Sequence, residues 1–168
     1  SQYFALDITN KNAPKKLWEI NDDPDGEYAE IGESWSSPQM GYVEIGADSQ
    51  PTAVAVIGGG YDPNQDTEGY RVDNAGNAVY IIDLKTGDKL WSAGNPDGDH
   101  DLKLDDMIHS IPAPMRIIDT DFDGLIDRMY VGDMGGKIWR FDLFNKQPLN
   151  EFGHGGVLAS FGGAEGGA

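Results

Sequence analysis

The chain has 168 residues, 39% of them hydrophobic, with seven Tyr, six Phe and four Trp, enough for one domain with a core of its own. Twenty-nine Asp and Glu against 12 Lys and Arg give a net charge of −17, which repels nucleic acid and anionic membrane surfaces and favours cations and basic partners. The longest apolar stretch, Ala53 to Ile57, falls far short of the roughly 20 residues of a membrane-crossing helix, and a sequence without cysteine has neither disulfides nor thiolate metal sites.

From its start the chain is strand-like. Tyr3-Phe4-Ala5-Leu6-Asp7 and the later Leu17-Trp18 read as two paired strands closing one unit, residues 1–20. Ser1-Gln2-Tyr3-Phe4 carries neither an initiator Met nor a charged-then-apolar leader, so the chain reads as processed or trimmed, with any signal peptide outside it. Asn21, Asp23, Asp25 and Gly26 imitate the first half of a calcium loop. Ala29 and Gly32 then stand at positions 9 and 12, so 21–29 reads as a polar connection.

Residues 34–92 form a second unit and 108–150 a third, because the sequence repeats. Trp35-Ser36-Ser37-Pro38 is echoed by His109-Ser110-Ile111-Pro112 at an offset of 74 residues. Pro38 and Pro112 each stand 20 residues before a glycine, Gly58 and Gly132, that follows an apolar run. Each copy then reaches a strand ending in Asp and Leu, Val79 to Leu84 and Ile138 to Leu143. From Gly58 to Asp83 is 25 residues and from Gly132 to Asp142 is 10, so the first copy carries 15 extra residues, within 61–76. Lys85-Thr86-Gly87-Asp88 reads as a tight turn into a fourth strand, Lys89-Leu90-Trp91. Residues 151–168 read as the start of a next segment or a tail.

Helical periodicity is hard to find anywhere. About two and a half copies of a four-strand antiparallel unit define an all-β chain, one partial β-propeller spanning 1–168. A closed propeller needs about four to eight such blades, so the expectation is a fragment of a larger propeller or a chain that closes by oligomerising.

Within the third unit lies the most specific motif. Asp119, Asp121, Asp123 and Asp127 occupy positions 1, 3, 5 and 9 of a loop with Gly124 at position 6. This spacing folds alternate carboxylates onto one centre, the glycine permits the sharp turn, and the carbonyl of position 7, Leu125, is expected to complete the set. All-oxygen ligation on a flexible loop selects Ca²⁺ over Mg²⁺ and transition metals. Tyr130 stands where a helix-loop-helix hand has its bidentate Glu, and the flanks are strand-like, so the loop is expected to join strands. At the same offset the first copy has Ile45, Ala47, Ser49, Gln50 and Ala53, so the unit is built without ligands there. The plain alternative is a solvated polar turn.

Other clusters carry less. Asp97, Asp99, Asp101, Asp105 and Asp106 surround His100 without cage spacing, and 97–106 reads as a solvated acidic loop attracting cations diffusely. Gly132 to Lys137 lacks the glycine spacing and the Ser or Thr of a phosphate loop and reads as a hairpin turn. His100, His109 and His154 are scattered, no nucleophile motif is present, and the chain is expected not to be an enzyme. Trp18, Trp91 and Trp139 fall at corresponding strands and read as packing between blades.

Trp35-Ser36-Ser37-Pro38, Gly58-Gly59-Gly60-Tyr61-Asp62, the nine-residue Asp loop and the run Tyr130 to Asp142 together resemble the C-terminal propeller of PilC/PilY-type pilus-tip proteins. That resemblance implies a secreted bacterial protein at the pilus tip or outer membrane, acting in type IV pilus extension, retraction and adhesion. It implies pilin or minor pilins as partners, host or surface ligands engaged through domains outside this chain, no membrane insertion, and Ca²⁺ held by Asp119, Asp121, Asp123, the Leu125 carbonyl and Asp127. The segment Tyr80 to Trp91 is also similar to repeats of quinoprotein dehydrogenases, which is the enzyme alternative. A calcium-stabilised structural blade with no partner of its own is the third reading.

Overall fold

The computed structural model describes residues 2–24 and 26–162, and among these nearly all regular structure is β. Strands β1 (Gln2–Asp7) and β2 (Lys15–Asn21) form an antiparallel hairpin. A five-stranded sheet follows in the order β3 (Gln39–Val43), β4 (Thr52–Gly58), β5 (Ala78–Asp83), β6 (Lys89–Gly94) and β7 (Leu102–Lys103). Its first four strands are an antiparallel meander, and the short β7 adds in parallel. The next sheet contains β8 (Arg116–Ile118), β9 (Arg128–Gly132), β10 (Lys137–Leu143) and β11 (Gly153–Ser160), again a meander.

The middle sheet is buried on both faces, which explains its unbroken apolar strands. Val54 and Val56 of β4 face the last sheet and join Val79, Ile81, Trp91, Met129, Val131, Trp139 and Phe141 in one core. Ala55 and Ile57 point the other way and pack with Ile20, Tyr28, Ile31, Tyr80 and Ile82 against the first hairpin. Burial of this apolar area from water is the main force stacking the sheets. The tryptophans serve that packing. Trp91 lies edge-on to Phe141 at 6.0 Å and to Phe152 at 6.3 Å, and Trp18 rests on Gly87 while its indole N–H donates to the Leu84 carbonyl at 2.9 Å.

The equivalent serines of the repeated Ser-Pro corner, Ser36 and Ser110, are buried. The Ser36 hydroxyl accepts from the Gly58 N–H at 2.9 Å and donates to the Ala113 carbonyl at 3.0 Å, so it ties the first blade to the second. The 85–88 turn has Gly87 at φ 84°, in the left-handed region where glycine carries no steric cost.

One boundary differs from the sequence reading. Residues 151–168 do not begin as a tail: in their described part, to Gly162, a short helix α1 (Leu149–Phe152) drops Phe152 into the core, and β11 pairs along the whole of β10. The second full blade therefore runs past 150. The 61–76 connection is likewise more than a polar insertion. Buried Asp62 accepts from the Asn64, Asn74 and Ala75 N–H groups, and buried Asp73 accepts from Gln65 Nε2 at 2.7 Å and from Ser110 N–H at 2.6 Å, stitching the connection to the next blade.

Candidate functional site

The acidic loop links β8 to β9, at the end of the sheet that lies beside the first blade. Asp119 follows the last residue of β8 and Asp127 immediately precedes β9, so the strands bring the first and ninth positions together. The Asp127 N–H donates to the Ile118 carbonyl at 2.9 Å. Inside the loop the carboxylates take over the work of backbone pairing. Asp119 accepts from Phe122 N–H at 2.7 Å through Oδ1 and from Gly124 N–H at 2.9 Å through Oδ2. Asp127 Oδ2 accepts from both the N–H and the hydroxyl of Thr120, each at 2.6 Å. Gly124 turns the chain at φ 92°, and Phe122, 91% exposed, is also in the left-handed region at φ 66°.

Asp119, Asp121 and Asp127 each present one carboxylate oxygen such that the three lie within 4.8 Å of one another. Asp123 stands outside this trio; its Oδ1 accepts from the Leu125 N–H at 2.8 Å and its backbone N–H donates to Asp121 Oδ1 at 3.2 Å. Three hard oxygens so close repel one another without a cation, and they fit the donor chemistry of calcium. Among the described residues no other three acidic, histidine or cysteine side chains converge in this way.

The loop is anchored to the neighbouring blade. Leu125 and Ile126 are buried, the Ile126 N–H donates to the Tyr42 carbonyl of β3 at 2.9 Å, and a Cβ added at Gly41 would meet Ile126 Cδ1 at 2.7 Å. Asn145 bridges two loops, because its Nδ2 donates to the Ile126 carbonyl at 3.1 Å while its Oδ1 accepts from the Glu44 N–H at 2.9 Å.

The remaining sequence candidates resolve into structural roles. His100 is buried, 2.5 Å through Nε2 from Glu30 Oε2 and 3.1 Å through Nδ1 from the Ser92 hydroxyl, and Asp101 accepts from the buried Ser92 N–H at 2.9 Å. The 97–106 segment is therefore no freely solvated loop; two of its members hold it to the first blade and to the 22–33 connection. Glu30 is 70 residues from His100 in sequence, a separation no local pattern reveals. In the 132–137 hairpin, Asp133 accepts from Lys137 N–H and from the Trp139 indole N–H, each at 2.8 Å, which accounts for the turn without a phosphate. His109 lies edge-on to Tyr70 at 5.5 Å and His154 to Phe144 at 5.4 Å. In the 21–29 loop, Asp23 N–H donates to Asn21 Oδ1 at 3.3 Å, and Asp25 falls outside the described residues.

Stacked four-stranded antiparallel blades, one bearing an acidic strand-loop-strand turn against its neighbour, define a segment of a β-propeller. The family model described as the PilY1 beta-propeller domain matches residues 1–162, and the chain belongs to that family. Its relatives include the type IV pilus biogenesis factor PilY1 of Pseudomonas aeruginosa strain UCBPP-PA14, 31% identical over 83% of this chain and 10% of the relative. The PilY1 homolog of Xylella fastidiosa strain Temecula1 is 29% identical over 86% of this chain and 9% of its own length. The crystal structure of the Pseudomonas aeruginosa PilY1 C-terminal domain superposes with a TM-score of 0.54 at 27% identity, covering 84% of this chain and 24% of that one. The chain thus spans about a tenth of these curated relatives. They are named as pilus biogenesis factors, and the quinoprotein reading takes no support from them.

Proposed function

We propose that residues 119–127 are a calcium-binding turn in the propeller of a type IV pilus biogenesis protein, placed at the bacterial surface by secretion to the pilus tip or outer membrane. The convergence of Asp119, Asp121 and Asp127 within 4.8 Å carries this reading, and family membership supports its setting. Asp123 and the Leu125 carbonyl complete the oxygen set. What calcium supplies there is positive charge that offsets carboxylate repulsion and fixes the loop.

The chain's own residues transmit that order. A rigid 119–127 turn holds Ile126 against Gly41 and Tyr42, and through Asn145 it holds the Glu44 corner of the first blade. In the parent protein this makes the register between two blades calcium-dependent, and through it the engagement of pilin or minor pilins, control of retraction and adhesion to host or other surfaces. A calorimetric titration in chelated buffer tests the site. One calcium-selective site in the wild-type chain, lost in Asp121→Ala and not filled by magnesium, is the expected result; equal heats from both proteins would refute it. Calcium-dependent capture of a pilin or minor pilin by the intact parent tests the partner, and capture that ignores calcium would leave a purely structural blade.

A further inference from the structure

The cavity between the 22–33 connection and the outer strands of the first blade is acidic, and one hydroxyl in its wall has no partner. It measures about 230 Å³, and its walls include Glu27, Glu30, Tyr80, Lys89, Asp97 and His100. Tyr80 is 1% exposed, with its ring 5.3 Å from Tyr28 and 6.1 Å from His100. Its hydroxyl has no hydrogen-bond partner among the described residues, and unlike the sealed unpaired atoms Asn77 Oδ1 and Ser110 Oγ it opens onto the cavity. Burial, and then the charge of Glu30, push this hydroxyl above its ordinary value, so it stays protonated at neutral pH and its oxygen is a free acceptor.

The lining holds four acids, Glu27, Glu30, Asp97 and Asp99, and one base, Lys89, a local charge of −3. Lys89 is committed within the wall, its Nζ donating to the Asp99 carbonyl at 2.9 Å. The next charges outward, Asp101 on the Ser92 N–H and Lys103 on the Pro96 carbonyl, cancel each other. The carboxylates of Glu27 and Asp97 have no partner among the described residues.

The second blade has the matching place. Trp139 and Tyr80 each stand three residues before the aspartate that ends their strand, Asp142 and Asp83, and a cavity lined by Lys103, Asp105, Asp106 and Trp139 lies at the boundary of the two full blades. A complete neighbouring blade therefore leaves this position open. There the chain supplies its own cation: Lys137 lies over the Trp139 ring at 5.9 Å and donates to the Asp106 carbonyl at 2.8 Å, while the indole N–H is taken by Asp133. In the first blade Ala78 stands at the position of Lys137, five residues before the aspartate, and Glu30 at that of Leu104. The acids are added and the ammonium over the ring is gone.

We propose that the first-blade cavity binds a primary alkylammonium group, held by the Tyr80 hydroxyl oxygen and by Glu27, Glu30 and Asp97. An ammonium offers three donors to acceptors spread around a cavity, whereas a hard metal ion needs oxygens drawn onto one centre. Among the described residues only Asp119, Asp121 and Asp127 converge in that way. Glu30 keeps an oxygen for the ligand, since His100 Nε2 meets its Oε2. The lysine side chain of a protein segment and a free amine present the same group, and the test separates them. The site uses no residue of the 119–127 turn, so it stands apart from the calcium reading.

The whole chain, labelled for NMR at backbone amides and tyrosine rings, is titrated near neutral pH in ~0.15 M salt with n-butylamine and with the capped tripeptide acetyl-Gly-Lys-Gly-amide. The controls are n-butanol, the corresponding Gln tripeptide and Mg²⁺. Saturable shifts at Tyr80 and at the amides of 26–30 and 97–100 are expected with the ammonium ligands and not with the controls. Saturation by both ligands supports recognition of the group itself, by the peptide alone a lysine side chain, and by the amine alone a free amine. Tyr80→Phe, which removes no internal hydrogen bond, is expected to weaken binding about threefold or more. Glu27→Gln/Asp97→Asn, at exposed positions, is expected to weaken it about fivefold, with no change in Asp48→Asn, an exposed acid of the 44–51 connection. No saturable shift at Tyr80, equal shifts with any of the controls, or Tyr80→Phe and the double variant binding as tightly as wild type would overturn the proposal.

Discussion

Two loops at equivalent points of the repeat solve the same problem in opposite ways. The β3–β4 connection of the first blade, residues 44–51, has no carboxylate cluster and is held from outside: Glu44 N–H donates to Asn145 Oδ1, Lys146 N–H donates to the Glu44 carbonyl at 2.8 Å, and Gly46 N–H donates to the Gln147 carbonyl at 2.8 Å. The β8–β9 connection of the second blade is held from inside, by Asp119, Asp123 and Asp127 accepting from its own backbone. Internal acids close the tip of the turn, while Ile126 seats its end on the neighbouring blade, but they leave like charges within a few ångströms. On the calcium proposal, the second loop is the one whose order is expected to depend on ions, and the first is the one held by the second blade.

The contrast can be broken most strongly at the acids. With calcium at about 100 times its dissociation constant for the proposed site, linkage is expected to stabilise the wild-type fold by about 2.7 kcal/mol. Asp119→Ala or Asp127→Ala is expected to abolish this increment in denaturant unfolding with and without calcium, whereas Asp123→Ala, outside the trio, is expected to retain part of it. An increment unchanged in all three would separate the loop from the metal. The next effect is at the shared support. Asn145→Ala removes two hydrogen bonds that serve both loops and is expected to cost about 2 kcal/mol at any calcium level, visible as a lower urea midpoint in both conditions.

How much of this was legible beforehand follows from what kind of signal each feature leaves. The repeat, the doubly buried β4 and the Asp-x-Asp-x-Asp-Gly spacing are local patterns, and each has its counterpart in the fold. The strand β11 left almost none, since His154-Gly155-Gly156 shows no apolar alternation. It forms because Phe152 anchors its start and because Gly155 lets the backbone lie directly on the Phe141 ring. The burial of Asp62 and Asp73, the His100–Glu30 pair and the Asn145 bridge depend on residues distant in sequence, so polar composition alone reads as solvated loop. The spacing of Asp123 also matches the motif, and the bond its Oδ1 accepts from Leu125 N–H is a contact only the folded turn reveals.

Smaller effects sharpen the picture at the edges. Burial pushes the Tyr3 hydroxyl up to about 12, while it donates to the Ser36 carbonyl at 2.7 Å. A folded-state pKa raised above the unfolded value of about 10 means that this contribution is complete below pH 10 and is lost as pH rises towards 12. Stability should therefore fall over that range, and Tyr3→Phe should reduce the slope in pH-dependent unfolding; an unchanged slope would remove Tyr3 from the hairpin's anchorage. The smallest expected change is at Phe122, exposed and at φ 66°. Asn tolerates that backbone region, so Phe122→Asn is expected to raise stability by about 0.5 kcal/mol and to leave the site intact, as read by the calcium-free urea midpoint.

The central claim, that an ion-ordered turn in one blade sets the register of its neighbour, is tested most directly by backbone amide NMR of the chain with and without calcium. The account predicts large shifts for 119–127, with connected shifts at Tyr42, Glu44 and Asn145 across the blade boundary, all absent in Asp121→Ala. Shifts confined to 119–127 would contradict the coupling, and unshifted 119–127 amides at millimolar calcium would contradict the site itself.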